Sequence, residues 1–190
     1  VPSVLSIYMK SVSDAFPRCF RRIYAGGEAF TPALALEMLR TYPHVSSWNS
    51  YGPTEVTVTS HGFECATDGA GRSNFAPHAV PIGKTYEHTT SFILDASLRA
   101  VPVGVVGELY LGGPKVARGY IGRQDLTDQA FVQAAALPSA GRLYKSGDRV
   151  RWLRSGNVDF LGRADFQIKL NGQRIEVGEI EAVIRGADEV

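Results

Sequence analysis

The feature that most constrains the fold of this chain of 190 residues is a change of punctuation across Ala66 to Ala79, a polar, Gly-rich stretch. Before it, the apolar-rich run 20–25 ends at Gly26-Gly27, and Thr31-Pro32 then supplies an N-cap and a first-turn proline. This predicts a strand, a turn and a helix running to about Tyr42. Asn49 to Glu55 reads as a loop and Val56 to Phe63 as a strand. After residue 79 the segments are short and closed by turns: SFILD, RAVPVG and VGELYLGG, then RVRWL and VDFLG joined by Arg154-Ser155-Gly156-Asn157. That pattern predicts a small antiparallel sheet or barrel, interrupted by one helix around Asp125 to Val132. FQIKL and RIEV flank Asn171-Gly172, a dipeptide suited to a tight hairpin because both residues tolerate positive φ. Val177, Ile180 and Ile184 then fall at helical spacing.

Charge and composition exclude several classes of function. Twenty Lys and Arg against 19 Asp and Glu leave a net +1, so no overall field draws nucleic acid or an anionic membrane to the chain. No apolar run approaches the roughly 18 to 20 residues that a membrane-spanning helix needs. Cys19 and Cys65 match no zinc or redox spacing, which predicts free thiols in a reducing compartment, the cytoplasm. Val1-Pro2-Ser3 has neither an initiator Met nor the pattern of a signal peptide, and the chain reads as a piece of something longer.

Two motif candidates fail on spacing. Gly83-Lys84-Thr85 is not a phosphate loop, since the glycine required five residues before Gly83 is replaced by His78. Gly112-Gly113 and Gly119 miss the dinucleotide pattern. His44, His61, His78 and His88 form no i, i+4 metal pair, and each reads as a solvated loop or strand position.

Four further segments run in order: Asn49-Ser50-Tyr51-Gly52-Pro53-Thr54-Glu55, GELYLGGPKVARGY (107–120), YKSGDRV (144–150) and GRADFQIKLNGQRIEVGEIE (162–181). Together they resemble consecutive motifs of the adenylate-forming enzymes, more narrowly the amino-acid adenylation domains of nonribosomal peptide synthetases. The resemblance covers nearly the whole chain. It implies an α/β fold: the end of a large layered α/β subdomain (1–79), a distorted antiparallel β-barrel subdomain (80–164) and the start of a small α+β lid (165–190).

The resemblance also implies roles. Tyr51 lies on the adenine of ATP, a use suited to a large aromatic face; Phe160 covers the other face, and Gly26, Gly27 and Asn49 border the base. Thr54 gives a hydroxyl to the α-phosphate and Glu55 a hard oxygen to Mg2+. Asp148 accepts from both ribose hydroxyls, and Arg163 is a second ribose or phosphate contact. Ile23, Ala25, Ser50, Val58 and Thr59 line the amino-acid pocket, with room for a side chain of some polarity. Asp165 is the lid hinge, while Lys169 and Gly172 serve the step in which a phosphopantetheine thiol takes the acyl group. Thr54, Glu55 and Lys169 are thus the catalytic candidates.

The implied reaction activates an amino acid with ATP as an aminoacyl adenylate and passes it to the phosphopantetheine of a peptidyl carrier domain, with a condensation domain in the same synthetase. An acyl- or aryl-CoA ligase and an inactive truncated product are the alternatives. The family's Ser/Thr/Gly-rich phosphate loop and amine-binding aspartate precede these motifs, and its lid lysine follows them, so all three fall outside these residues. Ser146 stands where threonine is commoner, and Asn171 where arginine is frequent.

Overall fold

The structure is a computed structural model that describes residues 1–11, 20–165, 168–170, 173–175 and 177–185. It contains a four-stranded mixed sheet and a five-stranded antiparallel sheet, with a separate two-stranded hairpin. The first sheet runs β1 (Arg22–Gly26), β2 (Ser46–Tyr51), β3 (His61–Cys65) and β4 (Lys84–Thr85). β1 and β2 are parallel, and the connection between them is α2 (Pro32–Thr41). The hydroxyl of Thr31 caps α2 by accepting from the amide of Leu34 at 3.3 Å, one of the orphan donors of a first turn. Leu34, Ala35 and Met38 bury the inner face of α2 against Ala25, Val45 and Phe63. Met9, from α1 (Pro2–Ser11), joins this core. Nothing in the sequence reading corresponds to α1.

Two expectations near the centre of the chain change. Asn49 to Tyr51 is not loop but the end of β2, because its backbone is paired on both sides. Asn49 and Ser50 lie opposite Ala25 and Gly26 of β1, and Asn49, Ser50 and Tyr51 opposite Phe63, Gly62 and His61 of β3. Two ladders outweigh the turn preferences of Asn, Ser and Gly. Conversely, Val56 to Phe63 becomes strand only at His61. Thr54–Val56 forms a 3-10 turn, and Thr57 and Val58 follow at positive φ.

The second sheet is a curled antiparallel half-barrel built on β8 (Arg142–Trp152). β6 (Gly107–Gly112) pairs along one edge of β8, with β5 (Thr90–Leu94) beyond it. The other edge is shared by β7 (Phe131–Gln133) and β9 (Val158–Arg163). Register shifts interrupt both of the long ladders, at Glu108/Tyr110 and Asp148/Val150, and such bulges bend a strand. Period-two alternation puts Ile93, Leu109 and Leu111 in one core and Leu94, Tyr110 and Leu143 in another on the opposite face. RAVPVG forms only a bridge from Ala100 to Leu94 rather than a strand. The expected helix at 125–132 is α3 (Gln124–Ala130), which stops where Phe131 begins to pair with β8.

Gly83 bridges to Val158 of β9, and so ties the first sheet to the second. β10 (Ile168–Leu170) and β11 (Gln173–Ile175) pair antiparallel about Asn171-Gly172, followed by α4 (Val177–Arg185). Asn171 and Gly172 themselves lie outside the described residues. Among the described residues, no helix is long and apolar enough to cross a membrane. Cys65 is a buried free thiol, pushed by burial up to about 12; Cys19 is outside the described residues. His61 departs from the expected solvated position, since it is wholly buried in β3.

Candidate active site

β2 is the strand that organises the site. Its last three residues emerge between the two sheets and present Asn49, Ser50 and Tyr51 to a cleft of about 700 Å³. Tyr51 donates its hydroxyl to Oδ2 of Asp148, on β8. Arg163, at the end of β9, donates from Nη1 to Oδ1 of the same carboxylate at 3.0 Å. Ser146 props this arrangement from behind, accepting from the Asp148 amide at 3.1 Å while donating to the carbonyl of Leu109 at 2.8 Å. Burial, then the Asp148 charge, raises the Tyr51 phenol well above its ordinary range. Tyr51 therefore stays protonated and serves as a donor.

Arg163 uses the rest of its guanidinium on Asp165, with Nε to Oδ1 and Nη2 to Oδ2 both at 2.6 Å. The predicted ribose contacts and the predicted hinge are thus one chain of charge-assisted bonds. Such forked pairs fix orientation as well as adding energy. Asp148, Arg163 and Asp165 all line the cleft, together with Gly27, Asn49 and Phe160. The side-chain Nδ2 of Asn49 donates to the carbonyl of Pro81 at 2.8 Å, which holds β2 to the segment before β4.

Phe160 sits differently from the expectation that it covers the far face of a base stacked on Tyr51. The two ring centroids are 6.3 Å apart with planes at 42°. A base held between two rings needs them nearly parallel and about 7 Å apart, twice an ordinary carbon contact. Tyr51 and Phe160 instead form one wall.

A second cavity of about 690 Å³ adjoins the first, sharing Gly27, Ser50 and Gly52 with it. Val58 and Thr59, expected in the amino-acid pocket, line it, and so does Thr54, expected at the α-phosphate. Val58 and Thr59 are delivered by the tight return after the 3-10 turn, where Thr57 has φ 50° and Val58 φ 68°. For a β-branched residue such a conformation is strained. The Lys115 ammonium holds the Thr59 carbonyl, and Thr57 Oγ1 donates to the Lys115 carbonyl at 2.9 Å.

Ile23 and Ala25 are corrected. Both face away from this cavity, Ala25 within the first core and Ile23 packed against it. Side chains alternate along β1, so the residues that reach the cavity are Tyr24 and Gly26. Gly26 is required there, because a Cβ would lie 2.2 Å from the Ser50 carbonyl oxygen. The sequence reading also missed Tyr86, which reaches the cavity from beyond β4. Nothing local to Tyr86 signals that placement.

Glu55 lines neither cleft. It is buried beneath the 3-10 turn, where Tyr120 donates to Oε1 at 2.6 Å and the Ala117 amide donates to the Glu55 carbonyl at 2.8 Å. Among the described residues, no group of three His, Cys, Asp or Glu could hold a metal ion. Lys169 lies on β10, with its side chain, like Gly172, outside the described residues.

Residues 1–121 match the family of AMP-binding enzymes. Over 190 residues the chain is 42% identical to phosphinothricin tripeptide synthetase PhsB of Streptomyces viridochromogenes, covering all of this chain and 15% of that protein. It is 39% identical to tyrocidine synthase 2 of Brevibacillus parabrevis, again along its full length, and spans 5% of that protein. Among solved structures, PA1221, an NRPS protein containing adenylation and PCP domains, superposes on 94% of the chain. The TM-score is 0.81 at 28% identity, over 36% of PA1221. IdnL1 shares the fold, with a TM-score of 0.85 over 98% of this chain and 38% of its own at 24% identity.

Proposed function

Because the chain belongs to the family of AMP-binding enzymes, we propose that it forms part of an enzyme that activates an amino acid with ATP as the aminoacyl adenylate. The observation that carries this reading is the pair of adjoining cavities with a common wall at Gly27, Ser50 and Gly52. Joining a carboxylate to a phosphate requires two binding spaces that meet at the reacting atoms. Nucleotide occupies the Asp148 side and the amino acid the Val58 side, with Thr54 near the junction.

The Asp148 carboxylate has about four lone-pair directions, enough to accept ribose hydroxyls while keeping Tyr51 and Arg163. A carboxylate oxygen of the amino acid attacks the α-phosphorus and pyrophosphate leaves. The Thr54 hydroxyl donates to an α-phosphate oxygen as charge develops there. Mg2+ would neutralise phosphate charge when bound, as it takes one or two carboxylates alongside phosphate oxygens. The described residues do not fit it, since Glu55, the carboxylate expected to hold it, lines neither cavity and is engaged by Tyr120. The phosphopantetheine thiol of a carrier domain then attacks the acyl carbon with loss of AMP, a step assigned to Lys169 and Gly172 with Asp165 as the hinge. A carrier is favoured over CoA because PhsB is a tripeptide synthetase and PA1221 contains a PCP domain.

A condensation domain of the same synthetase is the next partner, and the cytoplasm is the compartment, in keeping with the free thiol of Cys65. The division between 1–79 and 80–164 is supported by the separate cores of the two sheets, although Val80 belongs to the first core and Val56 to the second; the lid at 165–190 rests on the motif order alone. The test is exchange of labelled pyrophosphate into ATP by the full-length protein, across the twenty proteinogenic amino acids. Exchange with at least one of them is expected; a blank-level signal with all of them overturns the reading.

A further inference from the structure

Ser50 and Gly62 lie directly opposite one another on β2 and β3, so side chains at both positions would share one face. Gly62 leaves that face bare, and the phenol of Tyr86 fills the space: a Cβ on Gly62 would lie 2.1 Å from the Tyr86 oxygen. The amide of Tyr86 donates to the Ser60 carbonyl at 2.8 Å, which anchors its backbone. Its hydroxyl stands 3.5 Å from Ser50 Oγ, at the wall shared by the two cavities. Among the described residues that line this cavity, Tyr24, Ser50, Thr54, Thr59 and Tyr86 carry hydroxyls.

We infer that Tyr86 is a specificity-determining residue: its ring closes the floor of the second cavity, and its hydroxyl bonds to the side chain of a polar amino acid. The inference rests on the reading that this cavity holds the amino-acid side chain. A phenol that bonds the substrate discriminates against the analogue lacking the partner group, because its own hydroxyl is then left unpaired. The ring also sets the length the pocket accepts, and Gly62 is what admits the ring.

The experiment is pyrophosphate exchange by the full-length protein with three matched pairs: threonine and valine, asparagine and leucine, tyrosine and phenylalanine. Wild type, Tyr86→Phe, Tyr86→Ala and Val58→Trp are compared. In the best-accepted pair, wild type favours the polar member, and Tyr86→Phe reduces that preference in kcat/KM about tenfold. Tyr86→Ala moves the optimum toward a longer or bulkier side chain. Val58→Trp changes the profile by filling the cavity. An unchanged polar-to-apolar ratio in Tyr86→Phe, with an altered profile in Val58→Trp, overturns the role of Tyr86 and leaves the pocket reading standing. No change in Val58→Trp overturns both. Where Tyr86→Ala fails to fold, the ratio in Tyr86→Phe decides.

Discussion

Tyr51 donates its phenolic hydrogen to Oδ2 of Asp148 across 97 residues of sequence, joining the last residue of β2 to the bulged middle of β8. This bond connects the two sheets at the floor of the larger cleft and presets the carboxylate predicted to take the ribose.

Tyr51→Phe keeps the ring and removes that donor. A buried carboxylate short of one partner should cost about 1 to 3 kcal/mol of stability, read by urea unfolding. Asp148→Asn should weaken ATP by about 1.5 to 3 kcal/mol in calorimetry, with a smaller penalty for deoxyribose analogues than wild type shows. Equal ATP affinity in Asp148→Asn and wild type would remove Asp148 from the ribose site.

Gly26→Ala drives a Cβ into the Ser50 carbonyl, part of the backbone of the neighbouring strand, and cannot be relieved by a rotamer change. We expect a loss of about 1 to 3 kcal/mol. Gly69, whose Cβ would meet nothing within 4 Å, is the control, and Gly69→Ala should be within about 0.5 kcal/mol of wild type. Similar denaturation midpoints for the two variants would count against the close approach of β1 and β2.

Val58 is 72% exposed at φ 68°, so replacing it sacrifices little packing. Val58→Asn, a residue that tolerates the left-handed region, should stabilise the fold by about 0.5 to 1 kcal/mol while altering the amino-acid profile. A lower melting temperature would show that the return is held by contacts of Val58 rather than against its preference.

His61, between Ser60 and Ser91, is lowered by burial from 6.5 to about 4. Between those values the unfolded chain binds more protons than the folded one. Stability is therefore full above about 6.5 and falls as the pH drops toward 4, by on the order of 3 kcal/mol. Unfolding followed over this range should show the slope, and His61→Gln should flatten it. An identical slope in the variant would assign it to other groups.

Asp165→Pro fixes φ near about −65° and breaks the fork with Arg163. Pyrophosphate exchange should survive and carrier loading should fall. Equal losses in both assays would make Asp165 a folding residue rather than a hinge.

The local elements and the order of the site motifs were legible in the chain before any contact was known. Thr31-Pro32 starts α2, Asn157 closes the β8–β9 turn region, and the alternation in β6 and β9 marks strands, because capping, turn chemistry and period-two patterning act within a few residues. Tyr51, Asp148 and Arg163 stood out as candidates through their motifs, and they do converge. Which face each residue uses was settled by tertiary pairing instead. Asn49 to Tyr51 is strand because two ladders from β1 and β3 claim its backbone, an interaction no local propensity records. The same pairing sets the register that turns Ile23 and Ala25 into the core and Tyr24 and Gly26 toward the cavity, since a shift of one residue reverses the faces of a strand. Tyr86 enters the site because Gly62, on a different strand, leaves room for it. A vacancy created by one residue and filled by another 24 positions on is a property of packing, and packing is not written in any single stretch of the chain.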